Sequence, residues 1–198
     1  HAINHLWPMD TLGRCAVSPD CIVLLEQAGR VDYARIHDNF SFTEIVRAKL
    51  LDSERSLAGV MRIEQETGAQ AYIMVVVDAD GVEYTKNLDL GMGPMAARSD
   101  FMAQHYAGLA KHIIFVNVPS WASTVWRIMG PLMPEQTRSK VRLFSSKWRE
   151  EIRSLLDPSI CPVFWNDECH DEFAARIERP LGEAAEWRRR KLRSPCSR

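Results

Sequence analysis

Residues His112 to Ser146, HIIFVNVPSWASTVWRIMGPLMPEQTRSKVRLFSS, constrain the fold more than any other part of this chain. The run Ile113 to Val116 reads as a buried strand that stops at Asn117-Val118-Pro119. A segment that is apolar almost all round follows: Trp121, Ala122, Val125, Trp126, Ile128, Met129, Leu132 and Met133. Pro134-Glu135-Gln136-Thr137 then reads as a polar helix start, and Val141 to Phe144 as a second short strand. A helix this apolar, hung between two strands by proline-containing turns, must bury both faces or cover something apolar that is not protein.

The rest of the chain supplies the partners such a unit needs. Cys21 to Glu26 reads as a strand ended near Gly29, and Ala71 to Val77 as a strand buried on both faces, since its apolar run does not alternate. Between them, Ser41 with Glu44 three residues on has capping-box spacing, and the apolar positions from Phe42 onward predict a long helix closing near Gly68. Asp78-Ala79-Asp80-Gly81 is a turn. Further helices are expected over about Met95 to Leu109 and Lys147 to Leu156. Strands alternating with helices predict an α/β domain with a largely parallel sheet.

A chain of 198 residues with 46% hydrophobic and 26% charged residues fits one domain with a sizeable core, and a formal charge of -1 gives no nucleic-acid signature. No run approaches the roughly 18 apolar residues that cross a bilayer, and HAINHLWPMD is not expected to be a signal peptide. The first residue is His rather than Met, as expected of a piece of a longer protein. Five cysteines, Cys15, Cys21, Cys161, Cys169 and Cys196, form no C-x-x-C pair, which favours a reducing cytoplasm. Cys169-His170 near Cys161 offers too few ligands for a metal site, so idle thiols are expected.

The ordered series Asn117-x-Pro119, an aromatic-rich helix, Pro131-Leu132 and Thr137-x-x-Lys140-Val141 resembles the CRAL-TRIO lipid-binding domain, the family of phosphatidylinositol/phosphatidylcholine and tocopherol transfer proteins. Leu6-Trp7-Pro8, Gly29-Arg30-Val31-Asp32, Val77-Asp78-x-x-Gly81 and Cys161-Pro162-Val163-Phe164-Trp165 resemble further landmarks of it. Asn166-Asp167 stands where the family has two glycines; both residue types tolerate left-handed backbone. The resemblance implies a CRAL-TRIO-like domain over 1–167, followed by an extension over 168–198 with a basic tail from Arg188 to Arg198. That tail reads as a solvated end, or as a membrane-docking cluster worth about 1 kcal/mol per basic residue near an anionic surface.

The resemblance also implies a lipid cavity over a sheet floor, closed by a movable gate hinged at Pro119 and Gly130-Pro131. The expected pocket wall is Ile73, Val75, Val77, Ile114, Val116, Trp121, Val125, Trp126, Met129 and Met133. A lipid leaving a bilayer exposes its tails at about 0.8 kcal/mol per CH₂, and a carrier matches that burial with no catalytic acid or base. Thr137 and Lys140 match the phosphate-binding turn of the family's phosphoinositide binders. Gly108, in Tyr106-Ala107-Gly108-Leu109, stands where those proteins have Glu, and Ile73 and Val75 stand where phosphatidylcholine exchangers have hydroxyls. A neutral or weakly polar lipid is therefore expected, with no other cofactor, no metal, transient contact with membranes and a monomeric, cytoplasmic, membrane-peripheral protein.

Two alternatives stay open. Val75 to Gly81 also looks like the first motif of haloacid dehalogenase-type phosphotransferases, with Asp78 as nucleophile and Asp80 as acid/base beside Mg²⁺, although Val82 replaces the expected Thr and no downstream acidic pair follows. The same fold could also serve as a protein-interaction module with a packed interior.

Overall fold

The computed structural model describes residues 3–15, 17–83, 101, 106, 108–132, 135–145, 148, 152 and 155. At its centre is a five-stranded sheet in the order β1-β2-β3-β4-β5. These strands are Met9–Arg14, Cys21–Gln27, Tyr72–Asp78, Ala110–Val116 and Val141–Leu143 respectively. β1 runs antiparallel to β2, and β2 to β5 are parallel, so the sheet is largely parallel, as the alternating elements predict.

The strand β1 has no counterpart in the sequence reading. Its MDTLGR is half polar, it pairs on one side only, and its register shifts between Thr11 and Gly13, where Gly13 adopts φ 125°. An edge strand with a bulge gives little periodic signal. The short helices α1 (Ile3–Leu6) and α2 (Tyr33–Asn39) are also new. Asp32 caps α2 by accepting from the Arg35 amide at 3.1 Å.

The long helix α3 spans Phe42–Thr67. It starts with the expected box: the Ser41 amide donates to Glu44 Oε2 at 2.8 Å, and the Glu44 amide donates back to Ser41 Oγ at 3.4 Å. It ends at Gly68, whose φ of 66° is the left-handed cap that glycine adopts without strain. The apolar segment after β4 is α4, Ser120–Met129, followed by a 3-10 turn, Gly130–Leu132, and the one-turn helix α5, Glu135–Arg138. Trp148 and Ile152 are helical within the predicted helix Lys147 to Leu156. Most of the helix predicted over Met95 to Leu109 lies outside the described residues; Phe101 in it is helical, and Leu109 belongs to the turn before β4.

Three apolar clusters fix these elements. On one face of the sheet, Val23, Leu25, Met74, Val76, Ile114 and Val116 pack with Cys15, Cys21, Trp148 and Ile152. On the other, Leu24, Ala71 and Ile73 pack with Met9 and with Val60 and Ile63 of α3, and Val75 packs against them. The third cluster joins Ile3, Trp7, Val31, Tyr33, Ile36, Ile45 and Ala48 beyond the carboxyl end of β2.

The connections from β2 to β5 all step the same way along the sheet. Of these, the β2–β3 connection carries α3, which packs on the side of Leu24, Ile73 and Val75. Tyr106, just before β4, reaches the same helix: its hydroxyl donates to Glu54 Oε1 on α3.

Candidate functional site

Alternation along the strands sorts the predicted pocket residues onto two different faces. Ile73, Val75 and Val77 point to the α3 side; Ile73 and Val77 are buried and Val75 is half-buried. Ile114 and Val116 are fully buried on the opposite face, against Trp148 and Ile152. These two therefore do not share a wall with the β3 residues. Their same-face neighbours are Ile113, in register with Val75, and Phe115, in register with Val77. The sequence could not set this phase, because Ile113-Ile114-Phe115-Val116 is apolar at every position.

The α3-side face of β3 to β5 is thus an apolar floor: Val75 and Val77, Ile113 and Phe115, and Val141 and Leu143. Of these six, only Val77 reaches full burial, at 9% exposure; the other five stay half-buried. That contrasts with the far face, where Met74, Val76, Ile114 and Val116 are all sealed completely.

The helix α4 follows β4 and leads through the 3-10 turn and α5 to β5. Trp121, Ala122, Val125 and Trp126 are half-buried, while Ser123, Thr124 and Arg127 are exposed. None of these residues is among those packed in the three clusters. Pro119 caps the helix start in extended geometry, without a side-chain hydrogen bond. At the other end the Trp126 indole lies across Gly130: a Cβ there would meet Trp126 Cε2 at 3.4 Å. Met129 ends α4, and Met133 lies outside the described residues.

The half-buried Thr137 and Lys140 form the turn that feeds β5. The Lys140 amide donates to the Thr137 carbonyl at 3.1 Å, and the Lys140 carbonyl accepts from the Ile113 amide at 2.9 Å. The helix before this turn is one turn long, and it opens on Glu135, which pairs with Arg138. A negative side chain in that first turn opposes the expected phosphate. Gly108 has φ 88°, and the Leu109 amide donates to the Tyr106 carbonyl at 3.0 Å. The residue before Leu109 is therefore glycine for a backbone reason, at a conformation that a Glu would strain.

Asp78 is bound into a turn. Its Oδ1 accepts from the Asp80 amide at 3.0 Å and from Asn117 Nδ2 at 2.8 Å, and Asp78 is 4% exposed. Gly29 presses on the same turn: a Cβ there would fall 1.9 Å from the Asp80 carbonyl oxygen. Burial pushes the Arg30 guanidinium below its usual pKa, against the opposing pull of Asp78 and Asp80. These contacts give the Val77-Asp78-x-x-Gly81 landmark a structural use at the carboxyl ends of β3 and β4. Among the described residues, no three His, Cys, Asp or Glu side chains are grouped to hold a metal ion.

Cys15 and Cys21 are free, buried thiols, and burial pushes Cys21 up to about 12. Cys161, Cys169, His170, Cys196, Asn166-Asp167 and the basic tail lie outside the described residues.

A CRAL-TRIO domain-containing protein of Caenorhabditis elegans is 25% identical over 184 residues, which are 91% of this chain and 45% of that protein. The chain thus spans less than half the length of that relative. The crystal structure of Sfh5 is similar over 72% of this chain and 48% of its own, at 17% identity and a TM-score of 0.48. A family model described as the CRAL/TRIO domain matches residues 20–166, from just before β2 to beyond the last described residue. The chain therefore belongs to the CRAL/TRIO domain family, whose members bind lipophilic ligands.

Proposed function

We propose that this chain binds one hydrophobic lipid between the β3–β5 floor and α4, and transfers it or presents it at membranes without a catalytic step. The observation that supports this reading is the contrast between the two faces. A parallel sheet is ordinarily sealed by its crossovers on both sides. Here the α3 side keeps five half-buried apolar side chains, while Met74, Val76, Ile114 and Val116 on the far side are sealed. Space over an apolar floor suits an acyl chain or ring system, because burying each methylene there recovers about 0.8 kcal/mol.

The helix α4 is the candidate gate: Trp121, Ala122, Val125 and Trp126 on it are only half-buried, and Pro119 and Gly130 bound it. A lipid reaches the floor when this helix swings away at a membrane and is held when it returns. Asp78 holds the carboxyl-end turn and has no chemical task in this scheme.

Vesicle-to-vesicle transfer of fluorescent lipids, together with native mass spectrometry of the purified protein, tests the proposal. Protein-dependent transfer and a co-purified lipid are expected. A protein that carries no lipid and accelerates no transfer would overturn it.

A further inference from the structure

We infer that Phe115 sets the length of the hydrophobic chain this protein accepts, an inference that rests on the lipid-binding reading above. Phe115 is the aromatic residue of the floor and sits next to the end of β4. Its backbone cannot easily yield, because β4 is paired on both sides: Phe115 is in register with Val77 on one side and Leu143 on the other. The Phe115 carbonyl also accepts from the Phe144 amide at 2.8 Å. The ring is half-buried, so part of it meets open space rather than core.

Polar groups stand at both ends of the floor, with Asp78, Asp80 and Asn117 bonded together in the turn at the carboxyl ends of β3 and β4. Near the amino ends of β4 and β5 lie Lys140, Thr137 and the Tyr106–Glu54 pair. At the carboxyl ends lie Val77, Phe115 and Leu143. The one carboxylate on this side of β2, that of Glu26, is buried and accepts from Trp7 Nε1 at 2.9 Å. An apolar chain lying along the floor meets Phe115 as the bulkiest of its six side chains. Beyond Phe115 the chain turns at Asn117 into α4, whose first turn carries Trp121. Level with Val77 and Leu143 in the last row of the floor, the aromatic ring is the largest side chain there, and its bulk fixes how far a chain end reaches.

The test uses phosphatidylcholine vesicles in which both the phosphatidylcholine and an added fatty alcohol are equimolar mixtures of graded chain length. The loaded protein is analysed by native mass spectrometry, with folding checked by circular dichroism. Phe115→Ala is expected to shift the bound lipid to longer chains, with about a fourfold preference gained per added methylene that fits the vacated space. Phe115→Leu, which keeps more of the volume, gives a smaller shift in the same direction and serves if the alanine variant does not fold. Phe144→Ala is the control: it removes the same ring from the opposite face, where Phe144 packs with the Met74 and Ile114 cluster, and leaves the chain-length distribution as in the wild type. Loaded Phe115 variants with an unchanged distribution overturn the inference, as does an equal shift in Phe144→Ala. A wild-type protein that takes up neither lipid overturns the binding proposal itself, a result readable before any variant is made.

Discussion

Asn117 donates from Nδ2 to Asp78 Oδ1 at 2.8 Å, joining the last turn of β3 to the first residue beyond β4. Asn117 does this from a left-handed backbone, φ 54°, which Asn tolerates better than most side chains. Asn117→Val loses the bond and strains the backbone, for an expected loss of about 2–4 kcal/mol. Asn117→Gly relieves the strain and loses only the bond, about 1–2 kcal/mol. Urea unfolding of both variants checks the order; equal losses would mean that the backbone conformation contributes nothing.

Lys49 is 1% exposed, with its Nζ 3.1 Å from Asp52 Oδ2, 3.3 Å from Asn4 Oδ1 and 4.8 Å from the Trp7 ring centre. Removing one partner strands a buried charge. Asp52→Ala is therefore expected to cost about 3–5 kcal/mol. Replacing both, as Lys49→Met with Asp52→Leu, should recover most of that loss, because no charge is left to bury. A double-mutant cycle by chemical denaturation reads the coupling, and strict additivity would reject the network as a unit.

His112, half-buried on β4, is held below its usual pKa of 6.5, mainly by burial and further by Arg142 and Lys111, with Asp20 pulling the other way. A histidine with a depressed folded pKa resists protonation, so the unfolded chain binds the proton first. Stability is then full above pH 6.5 and falls as the pH drops through that value toward the folded pKa. Asp20, held below 3.8 chiefly by its hydrogen bond from Lys111, adds a second loss only at still lower pH. This half-exposed pair is worth about 1 kcal/mol at most. Thermal denaturation across pH should show the first decline in the wild type and not in His112→Gln. A decline that persists in that variant assigns it to another group.

The two faces of β3 give opposite results for neighbouring residues. Val76 is fully buried with Met74 and Ile114, so Val76→Asp is expected to prevent folding at ordinary temperature. Val75 lies half-buried on the floor, so Val75→Asp should fold but lose most lipid uptake, because the charge stands in the ligand's apolar bed. Circular dichroism followed by the vesicle assay separates the two. Undiminished uptake in folded Val75→Asp would place the ligand elsewhere.

Local signals made much of the fold legible before the structure. Ser41 and Glu44 announced the start of α3, Gly68 its end, and the unbroken run from Ala71 to Val77 the central strand. What stayed hidden were elements whose cause is tertiary. β1 exists because β2 offers an edge, and α2 because Tyr33 and Ile36 find Trp7 and Ile45. The site was legible as a set of elements and not as a set of faces. Four apolar residues in a row, Ile113 to Val116, tell which strand is buried, yet only the sheet shows which pair meets Trp148 and Ile152 and which faces the α3 side. The identity of Gly108 likewise became intelligible only with its φ of 88°.

The make-up of the core has a thermodynamic consequence. The cluster from Cys15 and Cys21 through Val116 to Trp148 and Ile152 holds none of the described side chains of α4. Cargo exchange then asks for a local excursion well below the free energy of global unfolding, with one half of the molecule acting as an undisturbed keel. Amide hydrogens along α4 should trade with solvent long before those of β3, so loading and unloading can repeat many times without the chain ever revisiting its denatured state.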